Sequence, residues 1–315
     1  MMKTKIFDAE KDFENAIFRV SEILKNGEVV AFPTETVYGL GGIIYNINSI
    51  SSVYELKGRS KTNPLSAHIS DLSHVEMLCE NIPDLFYVLA DKFLPGPLAI
   101  VMQKKSTIPD EVTANLNTIS IRMPNHKACL ELIKATGQPI AGTSANVSGK
   151  PAATKPEYVI EDFDGRISAI LDAGECKFKM ESTVLSLAEN EPTIFRQGAI
   201  SQYEIEKAIE RRVLSATKNL VLRNSYSKNL NKFKISKFDS MDEIMDKVIN
   251  NPQKKFLIMG NQNQIFDNYE IIELKQENYL EILRFADKGN FDELLILTDE
   301  KLRTNLLLWS RIENL

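Results

Sequence analysis

One stretch, residues 28–65, limits the folds open to this chain more than any other part of it. It begins with the apolar run Val29 to Phe32, which is typical of a buried strand. Pro33 ends that run, because proline lacks the N–H that a strand ladder needs. Hydroxyl side chains and glycines follow at once, a composition that indicates a sharp turn or a close backbone approach to a ligand. We therefore expect a buried strand followed by a glycine-rich polar turn.

The same stretch closes with a pair of basic residues. A short helical pattern from Ile50 to Leu56 leads directly into Lys57 and Arg59. Lysine offers a movable point charge and arginine a rigid fork that matches phosphate oxygens. Two interpretations stay open from these residues alone. They form either an anion pocket, together with the glycine turn, or a tight turn beside a solvated basic helix end.

Length and composition narrow the class of protein. The 315 residues suffice for roughly two domains with a large core. A net charge of −5 argues against a protein that coats nucleic acid without specificity, and a small anionic ligand in one pocket fits better. The cysteines at 79, 129 and 176 are odd in number and far apart, so neither a disulfide framework nor a zinc site is indicated.

The N-terminal residues carry charges throughout and contain no apolar segment of the kind that directs export. No run of about 18 apolar residues occurs anywhere in the chain. We therefore expect a soluble cytoplasmic protein that does not engage a membrane.

Strand-like and helix-like segments alternate over most of the chain, which predicts an α/β fold. The alternation stops between Leu214 and Lys232, in a segment rich in Ser, Asn and Lys, and then restarts. We predict a first domain at residues 1–212, a linker at 213–232 and a small α/β domain at 233–315. The second domain contains no Walker loop and no dinucleotide-binding glycine motif, so we interpret it as a lid or docking domain.

Two further polar clusters follow strand-like runs in the first domain. Thr118, Ser120 and Arg122 alternate with isoleucines and share one strand face, which needs either solvent or a ligand. Residues 143–149 form a second cluster of glycine, hydroxyl and amide groups directly after a strand-like run. Two such clusters with a basic pair between them favour a nucleotide or phosphate site.

The sequence offers no arrangement for nucleophilic catalysis. It contains no G-x-S-x-G elbow and no H-E-x-x-H, and a lone histidine such as His68 is more often structural than a ligand. Phosphate chemistry depends mainly on positioning and charge neutralisation, which Lys57 and Arg59 can supply. Arg122 and Arg196 would add cations if their strands converge.

Seven motifs occur in a fixed order between Gly27 and Ile209 and together carry a resemblance. They read PTETVYGLGG, KGRSKTNPL, LPGPLAIVM, ISIRMP, GTSANVSG, ESTV and FRQGAI. With them the chain resembles the YrdC-like family, specifically its two-domain threonylcarbamoyl-AMP synthases. The resemblance implies an open, twisted, mixed sheet around a deep cavity, followed by a small C-terminal Rossmann-like α/β domain.

The resemblance also implies an activity. Enzymes of this kind are nucleotidyltransferases that join L-threonine, bicarbonate and ATP into threonylcarbamoyl-adenylate and release pyrophosphate. Mg²⁺ is expected with ATP, held largely by phosphate oxygens and water. A transfer complex then passes the threonylcarbamoyl group to an adenosine in tRNA, so that complex and tRNA itself are implied partners.

The family's functional residues map onto this chain motif by motif. The K-x-R motif corresponds to Lys57 and Arg59, and the S-x-N motif to Ser144 and Asn146, which together form the implied catalytic set. The residues implied to contact ATP are Lys57, Arg59, Asn63, Thr118, Ser144, Asn146, Arg196 and Tyr226. Those implied to line the threonine side are Thr36, His68, Arg122, Thr143 and Ser182, with Arg122 a natural partner for the carboxylate.

One departure and two alternatives accompany this interpretation. The linker lacks the proline- and glycine-bearing stretch usual in the family, and Tyr226 is the aromatic residue that would replace it. The first alternative is an RNA-binding module of the same fold. The net negative charge and the lack of aromatic stacking motifs argue against it. A carbamoyltransferase for hydrogenase maturation is the second, and it would need zinc-finger and acylphosphatase-like segments.

Overall fold

The structure is a computed structural model that describes residues 3–216, 234–305, 308, 309 and 312. The chain divides into two compact units. The first comprises Met1–Ser148 and Ala152–Arg223, and the second Gly149–Pro151 and Asn224–Leu315. Each unit is an α/β structure with a sheet of its own.

The first unit contains strands and helices in alternation. The strands are β1 Lys5–Asp8, β2 Val30–Phe32, β3 Gly39–Ile43, β4 Ser66–His68, β5 Leu98–Gln103, β6 Thr118–Arg122, β7 Ile140–Ser144, β8 Ala169–Asp172, β9 Thr183–Ser186, β10 Thr193–Arg196 and β11 Leu214–Ser215. The helices are α1 Phe13–Lys25, α2 Ile47–Lys57, α3 Ser73–Leu78, α4 Asp84–Phe93, α5 Asp110–Thr113, α6 Lys127–Thr136, α7 Pro156–Phe163 and α8 Gln202–Ile209.

Its strands form one eleven-stranded sheet in the order β1-β8-β2-β3-β7-β4-β6-β5-β9-β10-β11. Parallel and antiparallel pairs are mixed: β4 runs parallel to β6, whereas β7 runs antiparallel to both β3 and β4. The predicted mixed sheet is therefore confirmed. The order brings β3, β7, β4 and β6 side by side, although their sequences lie up to about a hundred residues apart.

The core lies on both faces of this sheet. Alternate residues of β2 point to opposite sides, so Ala31 joins one apolar cluster with Leu40 and Ile100. Phe32 joins the other cluster, in which Val20 of α1 and further residues of α6 pack. A strand buried on both faces explains why the sequence of β2 is continuously apolar and does not alternate.

The predicted glycine-rich turn is only partly present. Gly39, Gly41 and Gly42 lie in β3, a regular strand, so the prediction of a turn at these positions is wrong. Gly41 pairs directly with Gly142 of β7. A Cβ on Gly41 would lie 2.5 Å from the carbonyl oxygen of Ala141, which is closer than real Cβ atoms come. These glycines therefore serve close strand packing.

The second unit has its own sheet and helices. Its strands are β12 Lys234–Phe238, β13 Phe256–Gly260, β14 Gln264–Ile265, β15 Tyr269–Glu273 and β16 Glu293–Leu297, and its helices are α9 Met241–Ile249, α10 Tyr279–Lys288 and α11 Glu300–Thr304. The sheet order is β12-β16-β13-β15-β14, with β14 the antiparallel member. The predicted α/β alternation is confirmed here, and β14 is a strand that the sequence did not predict.

The boundaries proposed for the linker stay a prediction, because residues 217–233 lie outside the described ranges. Leu214 and Ser215, which were expected to belong to it, form β11 and pair in parallel with β10. Across the ranges that the structure describes, no helix is both long and apolar enough to span a bilayer.

Replacing Gly41 by alanine tests the packing of β3 against β7. We expect the free energy of unfolding to fall by about 2 kcal/mol, because the new methyl group meets backbone that cannot move aside. Urea unfolding measures the change. Gly137→Ala is the matched control: its Cβ would meet no atom within 4 Å, so only its positive φ of 71° should cost free energy, about 1 kcal/mol. Equal losses in the two variants would contradict a steric role for Gly41.

Candidate functional site

Helix α2 ends at the basic pair. Its C-cap, Gly58, has φ 60° and ψ 36°, a left-handed conformation that favours glycine. The chain reverses there, and the backbone N–H of Arg59 donates to the carbonyl of Tyr54. Lys57 therefore lies in the last turn of the helix, while Arg59 begins the following loop.

Lys57 ties this helix end to the second polar cluster. Its side chain is buried, and its Nζ donates to the carbonyl oxygen of Ser144 and, at 2.5 Å, to that of Asn146. Asn146 Oδ1 lies 3.3 Å from the same Nζ and also accepts from Ser144 Oγ at 2.6 Å. The backbone N–H of Ser148 returns a bond to the Lys57 carbonyl. The K-x-R and S-x-N motifs thus form one connected unit.

Arg59 folds back onto its own loop. Its Nε donates to the carbonyl of Asn63 and its Nη2 to the carbonyl of Pro64, each at 3.0 Å. The hydroxyl of Tyr54 also donates to the Asn63 carbonyl. Burial lowers the pKa of Arg59 from its ordinary value. The predicted pair Arg59 and Asn63 is therefore in direct contact.

A row of small side chains crosses four neighbouring strands. Gly41 of β3 pairs with Gly142 of β7, Gly142 pairs with Ser66 of β4, and Ser66 pairs with Ser120 of β6. The Ser66 hydroxyl donates to Ser120 Oγ at 3.0 Å, and both serines are only partly buried. This face of the sheet therefore carries no long side chain along the row.

Two predicted residues stand side by side in the next row, two positions further along β4 and β6. His68 of β4 is directly opposite Arg122 of β6 in the parallel register. Burial, and secondarily the charge of Arg122, lower the pKa of His68 to about 3, so the imidazole is neutral at physiological pH. Its ring stands edge-on to Phe32, at 5.3 Å between centroids. His68 is therefore a neutral group beside a cation.

Arg122 has a partner that the sequence did not predict. Its Nη2 lies 2.8 Å from Oε2 of Glu35, and these two side chains are 6% and 4% exposed. The contact is an ion pair without the alignment of a hydrogen bond. Four polar atoms of this pair are enclosed and have no hydrogen-bond partner within the described part of the chain. They are Nε and Nη2 of Arg122 and both carboxylate oxygens of Glu35. A buried charge pair left in this state is costly unless something else completes it.

Thr36 follows Glu35, and the direction of its hydroxyl's hydrogen bond to Thr34 is fixed. The hydroxyl of Thr34 donates to the carbonyl of Val37 at 2.6 Å and lies 2.9 Å from the hydroxyl of Thr36. Since Thr34 has a single hydroxyl proton, Thr36 must be the donor between them. Thr36 itself is fully buried.

The last two motifs meet at Ser182. Arg196 donates from Nη2 to the carbonyl oxygen of Ser182 at 2.8 Å and to its Oγ at 3.1 Å. The adjacent Thr183 hydroxyl accepts from the N–H of Gly198 at 2.9 Å and of Ile200 at 3.1 Å. The motifs ESTV and FRQGAI are thereby joined, and two predicted site residues, Arg196 from the ATP set and Ser182 from the threonine set, are in contact.

The structure does not join every predicted residue to the others. Thr118 and Thr143 lie in β6 and β7, two strands separated by β4. Over the described ranges, neither makes a side-chain hydrogen bond to another predicted site residue. Tyr226 lies outside the described residues. Glu35 is the residue that sequence reasoning missed, and its signal was a carboxylate within an otherwise apolar and hydroxyl-rich run.

No resident metal centre or thiol nucleophile is present in the part of the chain that the structure describes. It contains no cluster of three or more His, Cys, Asp or Glu side chains suited to a metal ion. The three cysteines are free and buried, and burial raises the pKa of Cys79 and of Cys176 to about 12. At neutral pH these two thiols are protonated and poorly nucleophilic.

These contacts define an α/β protein with enclosed cations and hydroxyl groups beside a strip of small residues on the sheet, an arrangement suited to a small anionic ligand. Comparison with known families agrees with this class. The Sua5_yciO_yrdC family model, described as "Telomere recombination", matches residues 22–198. The match covers more than half of the chain, and the chain belongs to this family.

Two curated relatives are similar over the same region. The threonylcarbamoyl-AMP synthase of Pyrococcus abyssi (strain GE5 / Orsay) is 42% identical over 207 residues, which cover 65% of this chain and 61% of the relative. That of Bacillus subtilis (strain 168) is 44% identical over 214 residues, covering 66% of this chain and 62% of the relative. The matched region thus spans about three fifths of each relative's length.

A solved structure is similar over nearly the whole chain. It is described as the crystal structure of P. abyssi Sua5 complexed with L-threonine, and it is 32% identical in sequence with a TM-score of 0.86. The similarity covers 99% of this chain and 97% of that one. The predicted fold class, including an α/β second unit, is therefore confirmed.

Substituting methionine for Lys57 tests whether its ammonium holds the two motifs together. We expect a loss of about 3 kcal/mol in the free energy of unfolding, because buried carbonyl oxygens lose a charged donor. Lys134→Met is the control, since that side chain is 55% exposed and pairs with Glu131 of the same helix turn. A surface change of that kind should stay within about 0.5 kcal/mol. Similar losses in both variants would exclude a special role for Lys57.

The low pKa of His68 predicts a dependence of stability on pH. Unfolded histidine takes up a proton below its ordinary pKa of 6.5, whereas folded His68 stays neutral down to about pH 3. The stability that the neutral ring contributes is therefore complete above pH 6.5 and is lost as pH falls from 6.5 toward 3. Between pH 7.5 and 5.5, wild type should lose about 1.4 kcal/mol more than His68→Gln. Parallel losses in denaturant titrations at the two pH values would refute this.

Proposed function

We propose that this protein synthesises L-threonylcarbamoyl-adenylate from L-threonine, bicarbonate and ATP, and releases pyrophosphate. The observation that carries the proposal is the similarity over 99% of the chain to a Sua5 structure complexed with L-threonine. Two relatives above 40% identity that are named threonylcarbamoyl-AMP synthase support it. The linked K-x-R and S-x-N motifs supply the local geometry.

The reaction asks for orientation and cations more than for a strong base. The threonine amine attacks bicarbonate, water leaves, and the product is an N-carboxylate that already carries a negative charge. An oxygen of this group attacks the α-phosphorus of ATP, the bond between the α- and β-phosphates breaks, and pyrophosphate departs. Such a step gains most from alignment of the reactants and from stabilisation of developing charge. His68 would be a weak general base, because burial lowers its pKa to about 3, and this chemistry does not require a strong one.

We assign the nucleotide side to the motif unit around Lys57. In this assignment Lys57, Ser144 and Asn146 form a preorganised loop, and Arg59 with Asn63 forms its neighbour. The remaining residues proposed to contact ATP are Thr118, Arg196 and Tyr226. A unit charge about 4 Å from a phosphate oxygen is worth roughly 4 kcal/mol at an effective dielectric near 20, before desolvation is subtracted.

We assign the threonine side to the residues around Arg122. Arg122 would bind the carboxylate, while Thr36, His68, Thr143 and Ser182 would surround the rest of the amino acid. The neutral state of His68 supports this assignment, because a second cation beside Arg122 would repel an ammonium group.

Mg²⁺ enters this proposal as part of the nucleotide substrate. The described residues offer no cluster of ligands for a resident ion, so the ion would be held by phosphate oxygens and water. Its charge would neutralise the triphosphate and assist pyrophosphate as the leaving group.

We further propose that the product passes to a tRNA threonylcarbamoyl-transfer complex, with tRNA as the final acceptor, in the cytoplasm. A mixed anhydride of this type hydrolyses readily, so direct delivery to a partner would protect it. The family relationship supports this part of the proposal.

Pyrophosphate release should require ATP, L-threonine and bicarbonate together. A coupled pyrophosphate assay with each component omitted in turn measures this requirement. We expect release to fall to background in every omission, because the N-carboxylate nucleophile forms only when both of its precursors are present. Unchanged release without threonine would refute the proposed function.

The matched variants Arg59→Ala and Arg166→Ala separate catalysis from folding. Each arginine donates two side-chain bonds to backbone carbonyls, but Arg166, bonded to Asp162 and Leu56, lies outside the proposed site. We expect Arg59→Ala to lower kcat/KM for ATP by about a hundredfold, which is 2.7 kcal/mol of lost stabilisation. Arg166→Ala should retain wild-type kinetics. Equal effects of the two substitutions would contradict a nucleotide role for Arg59.

A further inference from the structure

We propose that Glu35 is a positioning and specificity residue for the amino-acid side of the site, an inference that rests on the proposed function. Its enclosed carboxylate fixes the guanidinium of Arg122 and balances its charge. The pair thereby favours a zwitterionic amino acid over a simple carboxylate.

The carboxylate of Glu35 lies against the guanidinium of Arg122. The carboxylate approaches Nη2 at 2.8 Å, and both side chains are more than nine-tenths buried. Nε and Nη2 are enclosed and have no hydrogen-bond partner, whereas Nη1 does not belong to that set. In this proposal a ligand binds Arg122 through Nη1, while the carboxylate of Glu35 contacts Nη2.

Hydrogen bonds hold the backbone around Glu35 in place. The hydroxyl of Thr34 binds the carbonyl and the N–H of Val37, which closes a tight turn around residue 35. On the other side, the carbonyl of Glu35 accepts from the N–H of Phe178 at 2.8 Å. The backbone of Glu35 is anchored at both of these points, which fixes the position from which its side chain reaches Arg122.

The charges of the enclosed groups balance one another. Arg122 and Glu35 sum to zero, and neighbouring His68 adds no charge because it is neutral. A simple carboxylate bound at Nη1 would leave one net negative charge in a poorly solvated place, which is costly. A zwitterion brings an ammonium with its carboxylate and leaves the site balanced. This explains how one arginine can select an amino acid against simple carboxylic acids.

The experiment compares two ligands that differ only in the amine. L-Threonine has carboxylate, hydroxyl and ammonium groups, and 3-hydroxybutyrate keeps the first two but lacks the third. Isothermal titration of wild type should give a dissociation constant at least tenfold lower for threonine. Equal affinities in wild type would overturn the proposal.

Glu35→Gln removes the countercharge at nearly constant shape. We expect threonine to bind about tenfold more weakly and 3-hydroxybutyrate more tightly than in wild type, so that the preference disappears. Glu35→Asp keeps the charge and should keep the preference, which preserves the test if the glutamine variant does not fold. Loss of preference in Glu35→Asp, or an equal loss of affinity for both ligands in Glu35→Gln, would show a merely structural role and overturn the proposal.

Glu293→Gln provides the matched control. Glu293 is also a buried carboxylate in an ion pair, with Lys247, but it belongs to the second compact unit. The Glu293→Gln variant should lose stability but keep the wild-type ratio of the affinities for threonine and 3-hydroxybutyrate. A changed ratio would overturn the assignment to Glu35. If folded wild type binds no threonine in the presence of ATP, the proposed function itself fails. If it binds threonine without preference over 3-hydroxybutyrate, only the role of Glu35 fails.

Discussion

The arrangement of the site depends on one buried ammonium. Lys57 is 1% exposed, and a charge in that position is tolerated only when oxygen atoms surround it. Those oxygens come from Ser144 and Asn146, which are 87 and 89 residues away along the chain. Helix α2 must therefore end where β7 ends, and Gly58 must turn the chain at that point. Arg59 and Asn63 take their places as a consequence, since they follow the same turn.

Much of the fold could be predicted from local patterns. Strands β5, β10, β12 and β16 and helix α9 are of this kind, because each is a run whose periodicity or composition is set by its own residues. β3 could not be predicted in the same way. Glycine disfavours strands, and β3 forms because Gly41 meets Gly142, a residue about a hundred positions later. Pairing between distant segments decides such strands, and a single sequence does not contain that information.

The candidate site shows the same division. Motif resemblance identified Lys57, Ser144 and Asn146 as one functional set, and the structure brings them into contact. It did not identify Glu35, because a glutamate beside a turn is ordinarily solvated, and only the fold places it against Arg122. The resemblance also gave Arg122 a ligand as its natural partner, whereas the protein supplies a partner of its own. A motif resemblance therefore identifies which residues belong to a site. It does not identify the contacts between those residues, which set the charge of the site.

The two threonines at the start of the site add a constraint of direction. Thr34 gives its proton to Val37, so Thr36 must give its own proton to Thr34. Only the lone pairs of Thr36 then remain for a ligand. A group that presents N–H or O–H matches these lone pairs, whereas a bare oxygen acceptor would first have to break the Thr34 contact. The sense of this hydrogen bond is thus set within the protein, by the proton that Thr34 gives to Val37.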